Sequence, residues 1–388
     1  MNELQKLKNF LTESFDHKTQ ILLRVALIGV IIGATAVAFR KGIDFLSHFV
    51  NDFCNTSNTE WYHWLYFPLI TACGGLLAGY ITQKYAPDAK GSGIPQVKQA
   101  LNTSTVVIKL RTAVVKFVAG MVAIASGMSL GREGPTVHIG AALASKISRA
   151  LGGKHRKRAV ASGAGAGLAA AFNTPIAGVI FVIEELDRNL SSLALGPAIV
   201  GSVSAAVTCR LLYGDVFTFE FASKHVTGLW GLPLFIFLGV LCAIFGVYFQ
   251  RSIIWSLNAY ERILTNRLPK WAWGGVAGFV TGLVALYIPL AIGGGHATLE
   301  SVLDDSLPVI LMIIIFMAKY FLTVFAYGSG VPGGIFAPAI ILGSLLGSIV
   351  GHAGAAIFPD LGIIPANFAF AGMGAFFTAV SRAPITSI

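Results

Sequence analysis

The sequence predicts an all-α, polytopic membrane protein made of two related halves of tilted and broken helices. Three observations predict it: a composition too apolar for a soluble domain, apolar segments that recur almost without pause but are cut by Gly and Pro, and a residue pattern that occurs twice. The chain has 388 residues, of which 55% are hydrophobic and 12% charged. Soluble domains carry about 25% charged residues. The mean hydropathy is +0.73, as in chains that cross a bilayer several times. The formal net charge of +10 marks cytoplasmic loops in such a chain, not a nucleic-acid partner. Four cysteines and eight histidines are scattered, with no C-x-x-C, H-E-x-x-H or nucleophile elbow. No metal centre, cofactor, disulfide framework or enzyme activity is expected.

Residues 1–20 are polar and mixed in charge and predict a cytoplasmic surface helix. The first apolar run, 21–39, ends at Arg40-Lys41. Ala34-Thr35-Ala36 has the small residues of a signal-peptidase site, but the long, acid-bearing segment before it is wrong for a signal peptide. Further apolar segments fall at about 62–82, 112–128, 159–186, 192–213, 227–249, 271–293, 307–327, 333–357 and 367–380. Some are shorter than the ~20 residues of a simple span, and 159–186 is too long for one and contains Pro175. Broken helices are tolerated at membrane depth only where protein or a wet cavity covers the freed backbone, and such interruptions point to a transport site.

The repeat begins at Lys116 and continues through Ser126-Gly127, Gly131, Pro135 and Gly140. It recurs at an offset of 203 in Lys319, Ser329-Gly330, Gly334, Pro338 and Gly343. A second block at an offset of 209 matches Gly163, Gly165, Ala166, Ala170, Pro175 and Ile176 with Gly372, Gly374, Ala375, Ala379, Pro384 and Ile385. The halves are assigned to 21–190 and 191–388. Two related halves around a central site is a transporter plan. Hydropathy does not distinguish parallel from inverted halves. Ile388 corresponds to Val179, in the middle of an apolar segment of the first copy, so the second half is expected to be truncated at its C-terminal end. The basic run Lys154-His155-Arg156-Lys157-Arg158 is placed in the cytoplasm by the positive-inside rule. The chain then runs inward to Pro175 and returns, which puts Glu184 and Glu185 near the cytoplasmic mouth.

Three glycine-framed motifs carry the chemistry: Gly91-Ser92-Gly93-Ile94-Pro95, Gly131-Arg132-Glu133-Gly134-Pro135 and Gly334-Ile335-Phe336-Ala337-Pro338. Each has a proline suited to the first turn of a helix, where its missing N–H has no helical partner. A helix N-terminus offers roughly half a positive charge and free N–H groups, enough to bind an anion without a full cation. Ser92 adds a neutral hydroxyl donor, and Phe336 offers a backbone N–H alone. Glu133 is a carboxylate inside the membrane, where a charge costs about 2.5–3.5 kcal/mol on insertion scales and is rarely accidental. Arg132 either neutralises a nearby carboxylate or holds the loop. His138 is expected to pack within the bundle and Asp304-Asp305 to lie in a solvated loop.

The three motifs, in this order and spacing, resemble those of the CLC family of chloride channels and chloride/proton antiporters, a likeness that extends from about Leu22 to the last residue. The resemblance implies a homodimer in the lipid bilayer, one anion path per subunit and two inverted-topology halves in each. It implies that Ser92 and the amides of Ile335 and Phe336 hold the central chloride, and that Glu133 is the external gate, occupying an anion's place when ionised. Phe181-Val182-Ile183-Glu184-Glu185 resembles the antiporter pattern, with Glu185 as the internal proton acceptor. Serine at position 92 goes with chloride in this family, proline with nitrate and other residues with fluoride. The family's anion-coordinating tyrosine lies beyond the segment matched by Arg382-Ala383-Pro384 and has no counterpart here. The expected activity is exchange of chloride for protons across a bacterial inner membrane, with chloride as substrate and no cofactor. The rivals are a passive chloride channel of the same fold and a membrane-embedded enzyme using Glu133 as general base.

Overall fold

The protein is described here from a computed structural model that covers residues 17–55, 63–103, 108–151, 156–187, 192–214 and 231–387. Most of the expected N-terminal surface helix, and Lys154 and His155 of the basic run, lie outside these residues. Among the described residues the regular structure is helical, and the only bridge of β type is an isolated one between Gly131 and Gly334.

Among the described residues fourteen α-helices follow in order: α1 His17–Asn55, α2 His63–Tyr85, α3 Ile94–Asn102, α4 Leu110–Ala125, α5 Glu133–Ala150, α6 Arg156–Phe172, α7 Pro175–Phe181, α8 Ser192–Tyr213, α9 Leu232–Leu264, α10 Trp273–Ala285, α11 His296–Leu303, α12 Val309–Gly328, α13 Phe336–Ile357 and α14 Pro365–Ser381. Five of them, α1, α8, α9, α12 and α13, are long and apolar enough to cross a membrane. Others are fragments, such as α3 with 9 residues and α7 with 7. That mixture is the broken-helix plan expected from the interrupted hydropathy. The end of the first apolar run at Arg40-Lys41 is not the end of a helix, because α1 continues to Asn55. Arg40 lies over the Tyr213 ring and the Lys41 ammonium donates to the Leu212 carbonyl, so both charges are held without breaking the helix.

The described chain divides into two compact units that interleave in sequence. Of the described residues, the first takes those within Met1–Gly42, Tyr85–Val118 and Glu133–Thr218, and the second those within Ile43–Lys84, Ala119–Arg132 and Phe219–Ile388. In the first unit, α5 and α6 cross so closely that a Cβ on Gly140 would sit 2.3 Å from the Gly163 carbonyl oxygen. Such contact lets two backbones approach through small residues, which is how helices pack where lipid gives no hydrophobic drive. In the second unit, α13 and α14 cross in the same way, with a Cβ on Gly343 placed 2.2 Å from the Gly372 oxygen. The two pairs are repeat-equivalent. So are Asn173 and Arg382, which follow α6 and α14 and both take left-handed backbone conformations. The second unit has an aromatic and aliphatic core that includes Phe249, Ile315, Phe368 and Phe376, whereas Ile28, Ile32, Ala144, Ala166 and Ala205 form a smaller cluster in the first. Large apolar side chains face outward along α8 at Leu195, Ile199, Val203, Val207 and Leu211 and along α9 at Ile236, Ile254 and Trp255. A four-residue spacing puts the α8 set on one helix face, a surface suited to lipid and not to water.

Candidate functional site

The Gly91–Pro95 motif opens α3 in the first unit. After a short turn at Pro87–Ala89, Gly91 and Gly93 take positive φ angles of 59° and 87°, and the helix starts at Ile94 with Pro95 second. Ser92 is buried, and its Oγ accepts a hydrogen bond from the Ile94 N–H at 3.4 Å. That leaves the hydroxyl proton as a donor. The loop is held from behind by Lys116 of α4, a fully buried lysine. Its ammonium donates to the carbonyl oxygens of Ala89 at 2.8 Å and Gly91 at 2.7 Å. With these carbonyls fixed on the lysine, the N–H of each trans peptide points the opposite way, away from the ammonium.

The Gly131–Pro135 motif opens α5. Glu133 is its first residue, 2% exposed, with Pro135 in its first turn, and Arg132, Gly134 and Pro135 are buried with it. The first unit brings this helix against the start of α3. A Cβ on Gly93 would lie 2.4 Å from Nδ1 of His138, so only glycine lets the Ser92 loop rest on the turn after Glu133. His138 is buried there as expected, and its Nδ1 has no hydrogen-bond partner among the described residues. The same unit holds Glu185 in a π-helical turn, Val182–Asp187, which follows α7. Glu185 is buried and pairs with the Lys98 ammonium of α3, whereas Glu184 is half-buried. One nine-residue helix thus carries Ser92 just before its start and the partner of Glu185 one turn inside.

The Gly334–Pro338 motif opens α13 in the second unit. Phe336 is its first residue and Pro338 lies in its first turn; Gly334, Phe336, Ala337 and Pro338 are buried and Ile335 half-buried. The Phe336 ring meets Phe377 edge-on at 4.8 Å, so this side chain is anchored by packing and its N–H lies at a helix head. Gly334 and Gly131 exchange two hydrogen bonds, each N–H donating to the other's carbonyl at 2.7 Å. These are repeat-equivalent residues joined to each other, as a local two-fold relation requires. Ser129 and Thr323 add a hydroxyl pair at 2.9 Å.

Sequence reasoning missed a third block of the repeat. Pro289–Ala291 forms a short turn, Gly293 and Gly295 have φ of 59° and 82°, and Lys319 of α12 is fully buried and donates to Ala291 at 3.3 Å and Gly293 at 3.2 Å. This copies the Ala89–Gly93 loop on Lys116, with Gly294 where the first copy has Ser92. The available signal was a lone lysine at the head of each repeat in an otherwise apolar run. The reading of helix dipoles without fixed cations is also incomplete. A cation does stand behind the first loop, with its protons committed to carbonyls.

Compared with known proteins, residues 74–388 match the profile of the voltage-gated chloride channel family. The chain belongs to that family, the CLC proteins. The H(+)/Cl(−) exchange transporter ClcA of Vibrio parahaemolyticus is 36% identical over 383 residues, covering 95% of this CLC chain and 80% of that protein. The transporter of the same name from Cronobacter sakazakii is 35% identical over 375 residues, with the same coverage. Among solved structures, a slow cyanobacterial Cl−/H+ antiporter superposes with a TM-score of 0.89 at 28% identity, covering 95% of this chain and 87% of that one. A CLC-type fluoride/proton antiporter superposes at 0.79 with 25% identity, covering 95% and 89%. The all-helical, multi-pass membrane fold expected from the sequence is therefore that of CLC transporters.

Proposed function

We propose that this CLC protein exchanges chloride for protons across a bacterial plasma membrane. The observation that carries the reading is the pair of buried carboxylates in the first unit: Glu133 at the head of α5, beside the Ser92 loop, and Glu185 in the turn that α3 supports. The names of its relatives as chloride/proton exchangers agree with it.

In this reading Ser92 and the amides of Ile335 and Phe336 bind chloride. The helix N-termini supply the positive potential, and Lys116 keeps the Gly91 carbonyl turned away from the anion. The ionised carboxylate of Glu133 contends with chloride for the amides at the α5 head. Once protonated it loses that attraction and leaves, and the anion takes its place. Glu185 takes up protons at the cytoplasmic side and passes them toward Glu133. The protein works in the bilayer as a homodimer, each subunit with its own path. Ser92 favours chloride over nitrate or fluoride as the substrate.

The test is reconstitution into liposomes loaded with chloride. A chloride gradient should drive protons uphill, and Glu185→Gln should stop the protons while chloride still passes. Passive anion flux with no proton movement would make the protein a channel and remove the exchange reading.

A further inference from the structure

Lys98 has no part in the sequence argument, yet it is the cation that α3 presents one turn beyond the Ser92 loop. It lies four residues after Ile94, so the two share a helix face. Side chains on a helix lean toward its N-terminus, which directs the four-carbon stem of Lys98 back along the face that begins at the loop. Its side chain is 33% exposed, and that of its partner Glu185 is 10% exposed. The ammonium therefore stands at the border of solvent, and the carboxylate stands behind it. Lys98 is the one charged side chain on α3, so the anion loop's own helix meets a carboxylate through it alone.

We propose that Lys98 is an anion-guiding cation that Glu185 masks, and that loading a proton on Glu185 unmasks it. While Glu185 is ionised, the pair is neutral and attracts no chloride. A proton from solvent that lands on a Glu185 oxygen neutralises the carboxylate. The ammonium then keeps its full charge with no counter-charge in contact. A lone, part-exposed cation raises the local concentration of anions around it. Proton arrival and chloride arrival are then linked at the same end of α3 without any movement of the backbone. The charge is too exposed to trap the anion, because a solvated ammonium attracts chloride weakly and releases it.

The inference rests on Glu185 as the proton acceptor, and the experiment separates the two. Chloride flux is measured in oriented proteoliposomes against chloride concentration on the cytoplasmic side, with impermeant gluconate holding ionic strength constant. Proton flux is followed in the same vesicles. Glu185→Gln fixes the neutral state and should lower the half-saturating chloride about tenfold, the lower end of what a local charge does to local ion concentration. Adding Lys98→Met should abolish that gain, and adding Lys98→Arg in its place should keep it, which also controls for folding. A gain of the same size with methionine at 98, or no gain with lysine present, overturns the proposal. If protons still move in Glu185→Gln, the assignment of Glu185 fails, whatever the half-saturation does. If protons stop and the half-saturation stays put, only the role of Lys98 fails.

Discussion

Lys116→Met tests whether the loop that carries Ser92 is held in its anion-binding form from behind. Methionine fills nearly the same volume but donates nothing. It strips the Ala89 and Gly91 carbonyls of bonds at 2.8 and 2.7 Å, and each buried acceptor left without a donor costs about 1–3 kcal/mol. Removing a desolvated cation returns part of that cost, so the net loss of fold stability is small, about 1–3 kcal/mol. The larger effect is local. The two carbonyls relieve themselves by turning their peptide planes toward other donors, and each plane that turns re-aims the N–H that follows it. One lost hydrogen bond to an ion is worth about 1.5–3 kcal/mol, or about 10- to 100-fold in chloride affinity. Calorimetric titration of chloride into the detergent-solubilised protein reads this directly. Lys319→Met is the control, because it unties the copied loop, where the bonds are longer at 3.3 and 3.2 Å and no serine is present. It should lower thermal stability with little change in chloride affinity. Wild-type chloride affinity in Lys116→Met, or equal losses in the two variants, would refute the argument.

Gly93→Ala forces a side chain into a left-handed position with its Cβ 2.4 Å from His138, and should cost about 2–5 kcal/mol in thermal unfolding. A variant as stable as wild type would mean that α3 does not rest on α5 as described. Gly140→Ala and Gly343→Ala place a Cβ 2.3 and 2.2 Å from the carbonyl they face, and should each cost about 1–3 kcal/mol; strong asymmetry between them would undo the equivalence of the two crossings. Glu133→Ala removes the competing carboxylate and, at saturating chloride where the Lys98–Glu185 pair no longer limits anion entry, should make chloride flux independent of pH while abolishing proton transport. Flux that still rises and falls with pH in that variant at saturating chloride would assign the gate to another residue.

The parts of the fold that could be read from sequence are those written in glycine and proline. Pro95, Pro135 and Pro338 mark helix heads because each closes a glycine-framed stretch, where the missing N–H has no helical partner to lose; proline alone does not mark one, since Pro68 and Pro197 lie inside α2 and α8. Gly131 and Gly334 could be paired by sequence alone because their offset matches that of Ser126-Gly127 and Ser329-Gly330, and the fold joins them by reciprocal hydrogen bonds. The repeated loop at Gly293–Gly295 was hidden because its offset differs by one residue and its serine is gone. The run of α1 past Arg40-Lys41 was hidden because hydropathy registers the charges and not the Tyr213 ring and Leu212 carbonyl that receive them. The interleaving of the two compact units depends on long-range packing, which local periodicity does not record. The pairing of Lys98 with Glu185 joins residues 87 apart in sequence, and neither one's neighbours announce the other. The Lys116 brace was half visible: the residue stood out in an apolar run, but its carbonyl partners could not be named.

The central claim is that backbone amides at helix heads, with Ser92, make a halide pocket for which Glu133 competes. Bromide scatters X-rays anomalously and can replace chloride, so crystals of the wild type and of Glu133→Gln grown in bromide test it most directly. The account predicts one peak in contact with Ser92 Oγ in both crystals, and in Glu133→Gln a further peak at the head of α5, where the carboxylate had been. Bromide found only away from Ser92 and both helix heads, with the two crystals alike, would contradict it.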